Sequence, residues 1–290
     1  MKTLTSQRFF CYYQWWYTET ITESSSCTHL SLSKRQVAQI VLDRVGYRPR
    51  TDLRNHIVLD PAADDGVFAS EIIHRLYQSS LNFGFSFQET LGNIHLYESN
   101  PDKVLYLQEQ IAKQCQFSSA EVPDTLITNA DFLLSGTHLK YDLIVGTPPY
   151  IKYRYIPQKK KAQYHTLLKN FTVQDNLCLA FYQKGLEVLK VKGKLSFICS
   201  DLWLERDFKS LCKILDRTFK FTEIIDLVNN PIPSDNELDA NPVITIITHA
   251  VSGQNGCYST LTDIQQLDSE TTCENNWFTT HLQRGLYYLR

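Results

Sequence analysis

The sequence predicts an α/β fold built on a doubly wound, mostly parallel sheet with an antiparallel hairpin at one edge. Three observations carry this. Short apolar runs of strand type alternate with helical patterns along most of the chain. Acidic residues or tight turns sit at the carboxyl ends of those runs, where doubly wound sheets place their ligands. The last strand-like runs crowd together, as antiparallel neighbours do.

The elements follow in order. Residues 1–30 open with the aromatic run FFCYYQWWY (9–17) and continue with the polar stretch TETITESSSCTH (18–29); they read as an arm or extra element outside the core. From Leu32 onward Val37, Ile40, Val41 and Val45 fall on one helical face, Ser33 and Gln36 have capping-box spacing, and Gly46 closes the helix. Strand-like runs then occupy 56–60, 93–99, 125–132, 141–146, 194–200, 221–227 and 242–250. Helical patterns fill 66–80, 101–115, 176–193 and 208–220 between them. The expected organisation is therefore an arm at 1–30, a catalytic domain at 31–250 and a C-terminal extension at 251–290.

Composition narrows the class. A chain of 290 residues with 43% hydrophobic and 21% charged residues can bury a large core and does not have a disordered profile. A net charge of −2 excludes a surface uniformly coated in basic groups but allows a local basic patch. The eight cysteines, at 11, 27, 115, 178, 199, 212, 257 and 273, include no Cys-x-x-Cys pair and no histidine at zinc-ligand spacing, so no metal is expected. Reduced, buried thiols and a cytoplasmic location fit this pattern. No run is long enough to span a membrane.

Four features mark strand ends. HIVLDPAADDGVFASEII runs from strand through an acidic turn and a glycine into a helix; Glu98 ends the second strand, Asp131 the third, and IVGTPPYI (144–151) the fourth. A strand-end carboxylate can accept both hydroxyls of a ribose. A glycine-containing turn lets a ligand approach backbone N–H groups at a helix N-terminus. Singly each feature is more often a cap, a turn or a solvated acid; together their order is specific.

In that order the sequence resembles the class I S-adenosylmethionine-dependent methyltransferases. Among them it is similar to the N6-adenine DNA methyltransferases of bacterial restriction–modification systems. The family's Asp-Pro-Ala-Cys-Gly-Ser/Asp-Gly-x-Phe motif corresponds to Asp60-Pro61-Ala62-Ala63-Asp64-Asp65-Gly66-Val67-Phe68. Its acidic ribose ligand corresponds to Glu98, its Asp-Phe pair beside the cofactor adenine to Asp131-Phe132, and its Asn-Pro-Pro-Tyr to Thr147-Pro148-Pro149-Tyr150. The helix beginning at Ser33 is similar to the segment that precedes the cofactor motif. The resemblance covers roughly residues 30 to 250.

It implies a Rossmann-like methyltransferase fold with S-adenosyl-L-methionine held by Ser33, Asp60, Pro61, Ala62, Gly66, Phe68, Glu98, Asp131 and Phe132. It also implies methyl transfer to an adenine flipped from double-stranded DNA, with catalysis by Thr147, Pro148, Pro149 and Tyr150. A rigid double proline presents a backbone carbonyl to the exocyclic amine without reorganisation, and the tyrosine offers a stacking face.

Three departures qualify the resemblance. Asp64 replaces a glycine in a turn that faces the cofactor's carboxylate; if the turn has positive φ, Asp costs roughly 1 kcal/mol relative to Gly. Thr147 replaces an asparagine with a shorter side chain and a single oxygen, and losing a placed polar group costs about a hundredfold in rate. Only forty residues follow position 250, fewer than an independent base-reading domain needs, so a separate specificity subunit is an expected partner.

Beside the catalytic loop, IKYRYIPQKKKAQYH (151–165) interleaves Lys152, Arg154, Lys159, Lys160 and Lys161 with Tyr153, Tyr155 and Tyr164. Charge runs are usually solvated surface. Next to a base-flipping loop, however, cations for phosphates and rings for unstacked bases are what DNA contact requires; Lys152, Tyr153, Arg154, Lys159, Lys160 and Lys161 are the candidate contacts. Two other readings stay open: a methyltransferase-fold subunit without catalysis that binds DNA or a partner, and a protein glutamine methyltransferase, whose family shares the Asn-Pro-Pro-Tyr loop.

Overall fold

The computed structural model describes residues 32–116, 120–167, 176–200, 210–215, 218–227, 242–250 and 257–260. All belong to the unit Ser31–Arg290. The expected arm at 1–30 and most of the expected extension at 251–290 lie outside the described residues.

The helix predicted after Leu32 forms as α1 (Lys34–Val45). Ser33 caps it reciprocally: its hydroxyl accepts from the Gln36 N–H, and the Gln36 side chain accepts from the Ser33 N–H at 2.9 Å. Gly46 ends it in the left-handed conformation (φ 86°). Strand β1 (Val58–Asp60) leads into α2 (Val67–Phe83), and a short α3 (Phe87–Thr90) precedes β2 (Ile94–Glu98). Then follow α4 (Pro101–Gln116), β3 (Ile127–Asn129) and β4 (Tyr141–Gly146). The basic stretch folds as α5 (Gln158–Leu167), and α6 (Leu177–Glu187) precedes β5 (Leu189–Ser200). Residues 210–215 are helical; β6 (Phe219–Asp226), β7 (Pro242–His249) and β8 (Cys257–Thr260) complete the sheet.

These strands form one eight-stranded sheet in the order β3-β2-β1-β4-β5-β7-β6-β8. β1 to β5 pair in parallel, β7 is antiparallel to both of its neighbours, and β8 runs parallel to β6. The predicted doubly wound sheet is present, and so is its antiparallel component. β7 threads between β5 and β6, and β8 adds a strand beyond position 250, so the sheet crosses the expected boundary with the extension. The helix expected over 176–193 stops at Glu187, because Leu189 already pairs with Tyr141.

The sheet separates two cores. One face packs β1, β2 and β4 against α1, α2 and α4 through residues such as Val41, Ile72, Leu107, Val58 and Val145; the other packs β4 and β5 against α6 through Ile144, Phe181, Tyr182 and Phe197. Arg75 of α2 is buried, and it ties α1 to α2. It donates to Glu71 (2.9 Å), to Asp43 (2.6 Å) and to the carbonyls of Tyr47 and Gln39. A buried guanidinium needs such complete satisfaction. The arrangement fixes the middle and the end of α1 against α2.

Candidate cofactor and substrate site

The carboxyl ends of β1, β2, β3 and β4 open onto one cavity of about 540 Å³. Asp60 ends β1 and is buried, and its Oδ1 accepts from the Ala62 N–H at 3.1 Å. Burial pushes its carboxyl up to about 7, helped by the nearby Glu98, Asp64 and Asp65 and opposed by the Ala62 N–H. The same oxygen explains Gly146 at the end of β4: a Cβ there would lie 2.7 Å from Asp60 Oδ1. Any side chain at 146 would push the first motif away from the fourth.

The turn from β1 into α2 is tightly wired. The Ala63 N–H donates to the Tyr97 carbonyl (2.9 Å), and the Gly66 N–H to the Ala63 carbonyl (2.8 Å). Asp64 has φ 47°, and among the described residues it is the one non-glycine with positive φ. The strain anticipated at this position is therefore present. The negative charge that Asp64 and Asp65 bring to this turn is balanced by lysines. The Asp64 carboxylate pairs with Lys103 of α4, and Asp65 pairs with Lys34 of α1 at 2.9 Å. The hydrogen bond that Lys103 donates to Asp64 is the main reason its ammonium is held above the ordinary lysine range. These pairs are half-exposed and add little stability, but each places a cation beside an added carboxylate.

Glu98 ends β2 with both oxygens engaged once: Oε2 accepts from the Asp64 N–H (3.0 Å) and Oε1 from the Asn100 N–H (2.7 Å). Each oxygen keeps a second lone pair, the arrangement a vicinal diol needs. Asp131 caps the single turn Phe132–Leu134, with Oδ1 accepting from the Leu133 N–H at 3.1 Å. Its Oδ2 accepts from Lys160 Nζ (2.9 Å) and the Tyr164 hydroxyl (2.6 Å), both on α5.

Phe132 is buried between Tyr97, edge-on at 5.3 Å, and Phe181, stacked at 6.1 Å. Lys184 of α6 locks this turn. Its ammonium donates to the Leu133 carbonyl (3.1 Å) and to the Ser135 carbonyl, and lies 5.0 Å from the Phe132 ring centroid. Burial depresses its pKa below the ordinary lysine value.

On the fourth side Thr147 is exposed, Pro148 buried, and Pro149 and Tyr150 half-buried, all lining the cavity. The Tyr150 hydroxyl donates to the Ile198 carbonyl of β5, so the ring is held at the cavity wall.

The cavity thus gathers Asp60, Pro61, Ala62, Phe68, Glu98, Asp131, Phe132 and residues 147–150. Two expected cofactor residues stand behind it. Ser33 acts as a helix cap, its neighbour Lys34 reaching the cavity instead. Gly66 starts α2 at φ 81°, where a Cβ would strike Leu107 at 2.4 Å.

The basic stretch divides. Lys152, Arg154 and Lys159 are exposed. Tyr153 pairs its hydroxyl with His165 Nε2 at 2.6 Å, while buried Lys161 sits 4.7 Å from the Tyr153 ring. Lys160 turns into the cavity toward Asp131, and so does not share the outward direction expected of it. Tyr164, named in the sequence only as a ring beside the basic run, also lines the cavity; so do Tyr97, Phe181, Lys34 and Lys103, which the sequence did not single out. Tyr97 directly precedes Glu98, and Lys103 lies in the first turn of α4. Their relevance is set by topology and carries no motif of its own.

The donor set fits the expected S-adenosylmethionine. Aromatic and apolar walls stand beside Asp131 for a purine ring, Glu98 can take ribose hydroxyls, and the cations Lys34 and Lys103 lie near the turn where an amino-acid end would rest. A sequence profile described as Eco57I restriction-modification methylase matches residues 24–232. The Type II methyltransferase M.XhoI of Xanthomonas vasicola is 30% identical over 226 residues, covering 74% of this chain and 41% of its own length. The chain spans about two fifths of the length of the curated relatives it matches.

Among solved structures, the type I restriction-modification methyltransferase subunit from Streptococcus thermophilus superposes with a TM-score of 0.57 at 13% identity, covering 95% of this chain and 55% of that one. A Listeria monocytogenes structure described as a class I S-adenosylmethionine-dependent methyltransferase gives 0.57 at 16% identity, covering 89% and 76%. The structural likeness agrees on the fold, and the sequence matches decide the family: the chain belongs to the Eco57I restriction-modification methylases, whose methyl donor is S-adenosylmethionine.

Proposed function

We propose that this chain is the catalytic part of a DNA methyltransferase that moves a methyl group from S-adenosylmethionine to the N6 amine of an adenine flipped out of duplex DNA. A restriction–modification or defence setting follows, with sequence choice supplied by a specificity subunit or a further segment. The observation that carries the reading is the convergence of Asp60, Glu98, Asp131 and Thr147–Tyr150 from four parallel strand ends on one cavity.

Bound S-adenosylmethionine supplies an electrophilic methyl group. The chain's residues bind and orient. Glu98 accepts from the ribose hydroxyls and Asp131 from the cofactor's adenine amine, against the Phe132 wall. On the other side a carbonyl of the Pro148–Pro149 pair and the Thr147 hydroxyl accept from the target amine, which builds electron density on its nitrogen. Tyr150 stacks on the flipped base, and Lys152, Arg154 and Lys159 take phosphates. The aromatic and basic groups beside the loop favour a nucleic acid over a glutamine side chain.

Calorimetric titration with S-adenosylmethionine tests the cofactor half. Glu98→Gln should weaken binding roughly 10- to 100-fold, the worth of hydrogen bonds to a charged acceptor. No binding by the unmodified chain at millimolar cofactor would remove the enzyme reading.

A further inference from the structure

Asp131 draws three donors: the Leu133 N–H on Oδ1, and Lys160 Nζ and the Tyr164 hydroxyl together on Oδ2. The two α5 donors are unequal. Tyr164 is buried at 1% exposure, whereas the Lys160 side chain is 42% exposed at the cavity rim. Tyr164 is held by packing. Lys160 is held by an ion pair that, at such exposure, adds little and is readily exchanged. Oδ2 already holds two donors, so an amine that approaches it from the cavity displaces the weaker-held one. Lys160 lies next to exposed Lys159 on α5, a few residues beyond exposed Lys152 and Arg154.

Resting on the reading above, we infer that Lys160 is shared between the two sites. It holds Asp131 until the cofactor's adenine amine takes that carboxylate, and then turns outward to pair with a DNA phosphate. Cofactor binding therefore adds one cation to the DNA-facing set. By reciprocity a phosphate that captures Lys160 frees Asp131 for the cofactor, so each ligand tightens the other. Lys160 is a positioning residue in this scheme and takes no part in methyl transfer.

The coupling has a readout that a merely structural role would not move. Each neutralised phosphate adds about 0.9 to the slope of log K against log salt for duplex DNA. Duplex binding by fluorescence anisotropy, measured over a salt series with and without saturating S-adenosylhomocysteine, should give a slope steeper by about one contact when the cofactor product is present. Lys160→Met should abolish the difference, Lys160→Arg should keep it, and Lys159→Met should flatten both slopes equally. Equal slopes in the unmodified chain, or a difference that survives in Lys160→Met with an unchanged melting midpoint, would overturn the inference. Calorimetry with S-adenosylhomocysteine and cofactor-free duplex binding separate the two levels. Failure of either binding removes the methyltransferase reading and this inference with it, whereas intact binding without a slope difference removes the inference alone.

Discussion

The two banks of the cavity are built differently. On the β1–β2 bank nearly every group has an internal partner. Asp60 is buried against Gly146, the turn at 61–66 is closed by backbone hydrogen bonds, and Asp64 and Asp65 each face a lysine. On the β4–α5 bank Thr147, Ile151, Lys152, Arg154 and Tyr155 are exposed. There, rigidity comes from two prolines and the hydrogen bond from Tyr150 to Ile198. A bank wired to itself suits a small ligand of fixed shape. A stiff loop with exposed cations and rings suits a large partner that completes it.

The contact that joins the banks offers the largest break. Gly146→Ala drives a methyl into Asp60, so both banks should shift. Methyl transfer is expected to fall more than about a hundredfold, as displaced catalytic groups do, with roughly 1–3 kcal/mol of stability lost to overpacking. Unchanged activity and melting would show that the banks are not coupled through this contact.

A pH series sharpens the wired bank. Asp60 is held near 7 in the fold against about 3.9 in an unfolded chain, so the folded state keeps a proton that the unfolded state releases. Stability contributed by the protonated group is complete below pH 4 and is lost as pH rises from about 4 to about 7, at about 1.4 kcal/mol per unit at most. Asp60→Asn, which keeps the acceptor for Ala62, should flatten that decline in urea unfolding curves. A decline of equal size in the variant would place its origin elsewhere.

The open bank can be improved. Thr147→Asn lengthens the acceptor beside Pro148 and should raise the turnover number by about tenfold, part of what one placed polar group is worth. A turnover number unchanged or lower would mean that Thr147 is no defect. The smallest effect is expected at Asp64. Asp64→Gly relieves the positive φ and gives up a half-exposed ion pair with Lys103, for a net gain of at most about 1 kcal/mol. A loss of stability would show that the pair outweighs the strain.

Much of this was legible in the sequence because it is local. Ser33, Gln36 and Gly46 announce both ends of α1, and four strand-end motifs in order announce the cavity. What stayed hidden depends on distance along the chain. Lys34 meets Asp65 across 31 residues and Lys103 meets Asp64 across 39, separations that no local pattern marks. Lys160 read as one of three equivalent lysines; only the α5 helix, which turns it and Tyr164 toward Asp131, sets it apart from Lys159. The first residues of β5 carry a helical pattern in the sequence because LKVKG continues an apolar helix without a breaker before Gly193, and β8 is four residues with no apolar run to mark it.

The methylated product itself reports which atom receives the methyl group. Duplex DNA incubated with the chain, any specificity subunit it needs and methyl-labelled S-adenosylmethionine can be digested to nucleosides and separated by chromatography. Label is expected in N6-methyl-2′-deoxyadenosine and is expected to be lost in Tyr150→Ala. Label in a methylated cytosine, or in a protein glutamine with none in DNA, would contradict it.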